Sequence, residues 1–381
     1  MKKENFISLI IYLLILGIAV VYGLTVLQTH YTYSAMTAVW QYAIYIIGTV
    51  IVGVIISAIL TEFGHLIGAK VGGYKIVIFN ILYFAITKES GKAKFRFKSF
   101  DGITGETVIV PDYDKKASPN PIPYLLYGPI FNLAWVAGAL VIFFIYEKGS
   151  PLDSDIAYGF LTSAIISSVL FIYNIIPVKL DTTTDGYRLS LLAKSKSKDA
   201  FNDMLLVQYN SNHGDSGAVE KVEVQENTKF TAETYLAKVH PLLVEKKFDE
   251  AKELLDKVFE EQDTLVKKNI LEAQEHRIYI NIMTMEPEAL QKYYDEDVPL
   301  SLKREISQDA SMTGIRTYLL MAGLLDKARG ECLIALNKLT KAYRNTPRNR
   351  QHSELVLFNE ALEKVCQAHP KWELEVYKLY E

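Results

Sequence analysis

The chain has 381 residues, of which 50% are hydrophobic and 22% are charged, and its formal net charge is −3. So small a charge, without any basic tract, argues against a nucleic-acid partner. The two cysteines, Cys332 and Cys366, lie far apart in the polar C-terminal part, so we expect neither a disulfide framework nor a cysteine-based metal site. The length is sufficient for two domains.

Apolar segments are concentrated in the first half of the chain, and a membrane helix needs about 20 such residues. Four segments reach this length, near residues 6–27, 35–66, 122–146 and 156–178. The first is longer than the core of a signal peptide and has no small-residue cleavage site after it, so we expect it to be retained. The sequence therefore predicts a mainly α polytopic membrane protein with four transmembrane helices, in a membrane-embedded domain of residues 1–207.

The distribution of Lys and Arg predicts the orientation of these helices, because cytoplasmic loops carry the excess of positive charge. The loop after the first span, residues 28–34, contains no Lys or Arg. The segment after the second span is rich in both: Lys70, Lys75, Lys88, Lys92, Lys94, Arg96, Lys98, Lys115 and Lys116. We expect a multi-pass protein of the cell membrane, in contact with lipid, whose two termini are cytoplasmic.

The hydrophobic period changes between the second and third spans. Lys94–Lys98 alternates strictly between basic and aromatic residues, and Tyr74–Phe84 and Glu106–Val110 are rich in β-branched or aromatic residues. These patterns are typical of strands and predict a small β insertion at residues 74–111 near the membrane surface. The sheet either covers the core or offers an exposed edge that pairs with an extended peptide.

The part after the last span is polar. Residues 208–230 contain a Gly-, Ser- and Asn-rich stretch that predicts a linker. From Thr231 the pattern is helical, and Lys247–Leu255 resembles the turn and second helix of a tetratricopeptide-type unit, although no clean 34-residue period is present. We predict a C-terminal tetratricopeptide-like domain at residues 231–381 that binds a cytoplasmic protein partner; the alternative is an irregular helical bundle.

A charged motif, Thr61-Glu62-Phe63-Gly64-His65, stands at the end of the second span. Ionisable residues at membrane depth are costly and therefore indicate a functional site. On a helix, Thr61 and His65 share a face and Glu62 lies beside His65. The stretch has the form of the zinc-protease motif H-E-x-x-H with threonine replacing the first histidine; there, two histidines hold zinc and the glutamate activates a metal-bound water.

Two further motifs lie in or next to the later spans. The third span contains Gly128-Pro129-Ile130-Phe131-Asn132, in which Gly and Pro permit close helix contact or a kink and Asn132 needs a polar partner. The fourth span ends with Asn174-Ile175-Ile176-Pro177, and Asp185-Gly186 follows. Asp185 offers a carboxylate ligand that zinc accepts, and Gly186 allows a tight turn beside it.

Together these three motifs resemble, in order, those of the site-2 protease family of intramembrane zinc metalloproteases, in particular its Gram-positive bacterial members. The resemblance covers about residues 40–190. It implies an intramembrane metalloprotease-type protein that cleaves a membrane-associated peptide or protein. It also implies a zinc ion held by His65 and Asp185, with Glu62 as the general base, while Asn132 and Asn174 position substrate or helices.

The departure from the family is Thr61. A neutral hydroxyl is a poor zinc ligand beside imidazole, and it can donate to the helix carbonyl four residues earlier. Two strong ligands then remain, fewer than the three of a typical catalytic zinc site. Asp181 is the nearby ionisable residue that could complete the set; alternatively it is a solvated loop charge or a helix cap.

Three functions are compatible with these features. A working protease with an altered zinc site explains why Glu62, His65 and Asp185 are all present. A catalytically inactive pseudoprotease, acting as a membrane scaffold that binds peptides or proteins, would explain Thr61 and the large helical domain. A small transporter is disfavoured, because four spans without an internal repeat do not suggest alternating access.

Overall fold

The computed structural model describes residues 13, 17–18, 20–36, 38–81, 84–89, 92–97, 105–179, 183–194, 198–213 and 230–378. The chain divides into two compact units, Met1–Asn202 and Asp203–Glu381. Half of the first predicted span, at residues 6–27, lies outside the described residues, and so do Asp181 and most of the predicted linker.

The first unit is built on three helices that are long and apolar enough to cross a membrane. They are α2 (Val39–Gly72), α3 (Pro121–Tyr146) and α4 (Pro151–Ile175), and each packs against the other two. A short helix, α1 (Gln28–Tyr33), follows a π-helical turn (Tyr22–Leu27) and contacts α4. The mainly helical architecture and the apolar helices agree with the sequence prediction, whereas the total number of spans stays a prediction.

The start of α4 lies earlier than predicted, at Pro151 instead of near residue 156. The Ser150 hydroxyl accepts a hydrogen bond from the Asp153 backbone N–H, and the Asp153 carboxylate accepts from Ser150 in return. This capping box, with proline at the first helical position, is a strong helix start. Asp153 and Asp155, which precede the predicted span at residues 156–178, therefore belong to the first turns of the helix.

A four-stranded antiparallel sheet follows α2 directly, with strand order β3-β2-β1-β4. The strands are β1 (Tyr74–Ile81), β2 (Phe84–Glu89), β3 (Lys92–Phe97) and β4 (Gly105–Pro111). The predicted β insertion is thus confirmed, but the apolar run Tyr74–Phe84, expected to be one strand, is divided between β1 and β2. The chain reverses there, and Ile81 pairs with Phe84.

The turn from α2 into the sheet fixes the sheet at the end of that helix. Gly73 ends α2 with φ +91°, a left-handed conformation that glycine adopts without strain, and its N–H donates to the carbonyls of Ala69 and Lys70. The Gly73 carbonyl accepts from Asp112 N at 3.1 Å, so the chain that leaves β4 returns to the same point. Both β1 and β4 therefore contact α2.

The backbones of α2 and α3 approach closely along a row of glycines on α2. A Cβ atom added at Gly64, Gly68 or Gly72 would lie only 2.4, 2.2 or 2.5 Å from a carbonyl oxygen at the start of or just before α3. Small residues at intervals of four allow such close packing between membrane helices. This row brings the motif on α2 against the motif on α3.

The remaining helices follow α4 in the chain, and most of them belong to the second unit. They are α5 (Asp185–Lys194), α6 (Lys198–His213), α7 (Thr231–Val244), α8 (Phe248–Glu260), α9 (Lys267–Thr284), α10 (Pro287–Glu296), α11 (Leu300–Gln308), α12 (Met312–Leu320), α13 (Arg329–Asn345) and α14 (Arg348–Ala368). In the second unit α14 contacts both α12 and α7, so its last long helix lies against its first. Whether these helices form tetratricopeptide-like repeats stays a prediction.

Candidate functional site

His65 and Asp185, which belong to two different sequence motifs, meet at the end of α2. His65 Nε2 lies 3.4 Å from Asp185 Oδ2, and both residues are largely buried. Asp185 is the first residue of α5, and Gly186 explains how it reaches this place. A Cβ atom at Gly186 would lie 2.0 Å from the Ile175 carbonyl oxygen, so only glycine lets α5 pack against the end of α4. The sequence-predicted ligand pair is therefore brought together.

The imidazole of His65 is held by the first turns of α3. Its Nδ1 donates to the Tyr124 carbonyl oxygen at 2.8 Å, which orients the ring so that Nε2 faces Asp185. Metal-binding histidines are usually oriented by such a bond from the other ring nitrogen. Gly128 provides the space for the ring, because a Cβ atom there would lie 2.6 Å from His65 Nε2.

The separation of the two acceptor atoms fits a shared cation. Two ligands bound at about 2 Å to a tetrahedral zinc ion lie about 3.3 Å apart. The observed 3.4 Å between His65 Nε2 and Asp185 Oδ2 matches this value. Burial raises the pKa of Asp185, while the charges of His65 and Arg188 act in the opposite direction. Without a metal, the two acceptors would need a proton between them.

Thr61 occupies the position of the missing histidine, and its hydroxyl is engaged. It donates to the Ser57 carbonyl at 2.8 Å, the back-bond foreseen from the sequence, and accepts from Asn132 Nδ2 at 2.6 Å. The side-chain oxygen of Asn132 is fully buried and contacts no hydrogen-bond donor among the described residues. A polar interior with one unused acceptor therefore lies one helical turn from His65.

The set of metal ligands is incomplete as far as the structure describes the chain. No group of three or more His, Cys, Asp or Glu side chains is arranged to hold a metal ion among the described residues, and Asp181 lies outside them. The spacing of His65 and Asp185 fits one edge of a zinc tetrahedron. Thr61, one helical turn before His65, is hydrogen-bonded to Asn132 instead.

Glu62 is buried beside His65 and faces the sheet. Its Oε2 accepts from the Thr107 hydroxyl at 2.7 Å, and the Thr107 carbonyl accepts from the Tyr124 hydroxyl at 2.9 Å. At Gly105, an added Cβ atom would lie 3.0 Å from Glu62 Cγ. Strand β4 thus lies directly against the candidate base, and it is an edge of the sheet in the described part of the chain.

Two other predicted site residues lie less centrally. Asn174 is partly exposed near the end of α4, and its side chain makes no hydrogen bond to the residues that the structure describes. Pro129 lies inside α3, which continues through it, and is buried beside Gly128. The motif prolines and glycines thus shape the packing, and Asn174 directly precedes Ile175, whose carbonyl oxygen lies against Gly186.

A second buried ionic pair, missed by the sequence analysis, lies at the other end of α2. His30 Nε2 is 3.0 Å from Asp155 Oδ1, which also accepts from the Ser34 hydroxyl at 2.7 Å, and Tyr45 donates to the Asp155 backbone carbonyl. Tyr45 and His65 are about 30 Å apart along the helix, at 1.5 Å per residue. The available signal was Asp155 itself, an acidic residue at the start of an apolar segment.

No family model matches the chain, and neither a curated protein nor a solved structure does. The resemblance to site-2 proteases therefore rests on the three motifs and on the geometry described above.

Proposed function

We propose that the first unit carries a peptidase site of the site-2 protease type, which cleaves a membrane-associated peptide or protein. The observation that supports this proposal is the approach of His65 Nε2 to Asp185 Oδ2 at 3.4 Å beside a buried glutamate. These residues come from separate motifs, and simple helix packing gives no reason for collecting two carboxylates and an imidazole in an apolar interior.

In this function His65 and Asp185 hold the zinc ion, with Nδ1 of His65 fixed by the Tyr124 carbonyl. When bound, zinc polarises the substrate carbonyl and increases the acidity of a bound water. Glu62 accepts the proton of the attacking water at its carboxylate and delivers it to the leaving amine. The Thr107 hydroxyl keeps that carboxylate in place by its hydrogen bond to Oε2.

The position of β4 supports an extended substrate. An edge strand has unpaired backbone groups that a peptide can use to add a further strand. Because Thr107 on β4 contacts Glu62, a peptide paired with β4 would pass next to the candidate base. Gly105, also on β4, lets the strand approach Glu62 and the Asn80 backbone closely, because an added Cβ atom would lie 3.0 Å from Glu62 Cγ and 2.1 Å from the Asn80 carbonyl oxygen.

The proposed function places the protein in the cell membrane and gives its C-terminal domain a protein partner. We assign the chain to the cell membrane as a multi-pass protein with four spans and cytoplasmic termini, on the basis of its apolar helices and its basic loop after α2. Residues 231–381 would then be a cytoplasmic, tetratricopeptide-like domain that binds a protein partner.

One observation favours a second candidate, a pseudoprotease that binds peptides or partner proteins without cleaving them. Thr61 and Asn132 satisfy each other at the position where a third ligand is expected. Such an arrangement suits a buried polar contact that has replaced a metal ligand.

Cleavage of membrane-anchored peptide reporters by the full-length protein, measured with micromolar zinc, separates the two candidates. If the protein is a peptidase, Glu62→Gln abolishes cleavage, and His65→Ala and Asp185→Ala each remove bound zinc. His352→Ala, an exposed histidine on α14, is the matched control and should change neither property. Absence of zinc from the purified protein, together with no cleavage, would leave the pseudoprotease as the function.

A further inference from the structure

The interior of the second unit contains a buried cluster of charged residues centred on Arg316 and Glu354. Arg316, on α12, is 0% exposed, and its Nη1 donates to Glu354 Oε2 at 3.1 Å. The other oxygen, Oε1, accepts from Arg350 Nη2 at 2.9 Å and lies 3.1 Å from His240 Nε2. Glu354 is therefore shared by three basic side chains and has no capacity left for the rest of the Arg316 guanidinium.

One whole edge of that guanidinium is unused. Nε and Nη2 of Arg316 have no hydrogen-bond partner within the described chain. These two nitrogens lie on the same side of the planar group and present two parallel N–H bonds, the arrangement that pairs with the two oxygens of a carboxylate. Buried donors are almost always satisfied in folded proteins, so an empty edge at zero exposure calls for an acceptor.

The surroundings of this edge are rich in donors and aromatic surface. His276, on α9, is also fully buried, and neither of its ring nitrogens makes a hydrogen bond to a described residue. The Tyr279 ring lies against the guanidinium, 4.5 Å from its central carbon, which supports the cation without consuming its N–H groups. Donors without a partner therefore outnumber acceptors in this cluster, although Glu275 Oε1 is also buried without a hydrogen-bond partner among the described residues and so does not occupy the Arg316 edge.

The nearest acidic residues do not supply the missing acceptor. Burial and the adjacent Asp309 raise the pKa of Glu275 to about 10, so this residue is uncharged at neutral pH. Burial also acts against ionisation of Glu272, but His276 and Arg350 outweigh it and lower the pKa of Glu272 to about 2. Glu272 lies toward His276 and Arg350, at 3.8 and 3.9 Å.

We infer that this interior is a binding site for a small carboxylate anion, received by the Nε–Nη2 edge of Arg316 with the His276 ring as a further donor. The site is independent of the zinc-protease proposal, because it is built only from helices α7, α9, α12 and α14 of the second unit. The cluster is nearest to solvent at Arg350 and Glu272, whose side chains are 21% and 32% exposed.

Thermal unfolding of the full-length protein in detergent tests this site, with acetate as the probe. The chain has 3 tryptophans, Trp40, Trp135 and Trp372. When Trp40 and Trp135 are replaced by Phe, the fluorescence of Trp372 reports on unfolding of the second unit. Relative to chloride at equal ionic strength, acetate should raise the unfolding midpoint, and the rise should follow the logarithm of acetate concentration above the dissociation constant, because a ligand stabilises the state that binds it.

Two variants identify the residue that binds the anion. Arg316→Lys keeps the positive charge but loses the two-nitrogen edge, so the apparent affinity for acetate should fall at least tenfold. Arg304→Met removes an exposed arginine of α11 and should leave the acetate effect unchanged. An equal acetate effect in Arg316→Lys, or no effect beyond chloride in the parent protein, would overturn the proposal.

Two further outcomes are informative without a variant. Stabilisation by phosphate but not by acetate would reject a carboxylate as the ligand class. An experimental structure determined in acetate that shows only water, or the Glu275 carboxyl group, on the Nε–Nη2 edge of Arg316 would refute the site. Density for acetate on that edge is the expected result.

Discussion

Asn132 donates a hydrogen bond to the Thr61 hydroxyl at 2.6 Å, and this contact takes the place of a histidine in the zinc-protease motif. Thr61 is thus not an ordinary helix residue that happens to interrupt a motif. It is the hydrogen-bond partner of Asn132, a fully buried polar side chain of α3.

This contact predicts that Thr61→His increases zinc affinity. The new histidine would lie on the same helix face as His65 and would add a third zinc ligand to His65 and Asp185. A catalytic zinc site typically has three protein ligands. We expect at least about a hundredfold tighter binding, in line with the effect of a complete ligand shell. Zinc content after dialysis against buffered free zinc measures it.

The control for that experiment is Thr61→Val, which removes the same two hydrogen bonds without adding a ligand. Equal zinc content in the histidine and valine variants would show that position 61 does not face the metal.

The hydrogen bond from Thr107 to Glu62 predicts a difference between two substitutions at position 107. Thr107→Val has almost the same shape but leaves the buried carboxylate without this donor, so it should destabilise the first unit by about 1–3 kcal/mol. Thr107→Ser retains the hydroxyl and should lower the stability of the first unit clearly less. Unfolding in detergent, followed by Trp135 fluorescence, compares the two, and equal losses would mean that the bond contributes little.

The glycine row on α2 predicts that a Gly→Ala substitution destabilises the protein only where the glycine faces α3. Gly68→Ala would place a methyl group 2.2 Å from the Pro123 carbonyl oxygen, so α2 and α3 must separate, at about 1–3 kcal/mol or more. Gly48→Ala is the matched control on the same helix, because no atom lies within 4 Å of its added Cβ. Thermal stability should fall only for Gly68→Ala; similar stability of both variants would contradict the close approach.

The buried Glu275 predicts a stability that falls with rising pH. Its pKa is raised from 4.5 to about 10, mainly by burial, so the folded chain keeps a proton that the unfolded chain releases in this range. Unfolding then releases a proton, and the free energy of unfolding decreases by up to about 1.4 kcal/mol per pH unit. The window from pH 7 to 9 avoids His240 and His276, whose pKa values burial lowers.

Glu275→Gln should remove this slope, because glutamine resembles the protonated acid at every pH. The measurement is the unfolding midpoint reported by Trp372 at several pH values in that window. An unchanged slope in the glutamine variant would assign the pH dependence to another group.

Local patterns in the sequence predicted much of the membrane unit. Continuous apolar runs indicated α2, α3 and α4, and alternation at Lys94–Lys98 indicated the sheet, because these periods directly reflect burial. The boundaries of the elements depended instead on capping and turn residues, which involve only a few positions each. The capping box at Ser150 and Asp153 moves the start of α4, and the chain reversal after Ile81 has no Gly or Pro to announce it.

Contacts between distant segments could not be predicted in the same way. Thr61 and Asn132 were each singled out, yet their pairing depends on how α2 and α3 are aligned. The Arg316 cluster draws residues from four helices with no common spacing, so only the folded chain brings them together. His30 and Asp155 likewise meet through packing between segments that the sequence separates.

The glycine row has a consequence for how this site can change during evolution. Because α2 and α3 touch backbone to backbone, inserting or deleting a single residue within either helix would rotate everything beyond it by about 100°. His65 would then no longer face Gly128, and the carbonyls of α3 would meet side chains instead of glycine hydrogens. Single substitutions inside the site leave this alignment of the helices intact, whereas changes in length are tolerated only in the loops and in the sheet outside the paired helices.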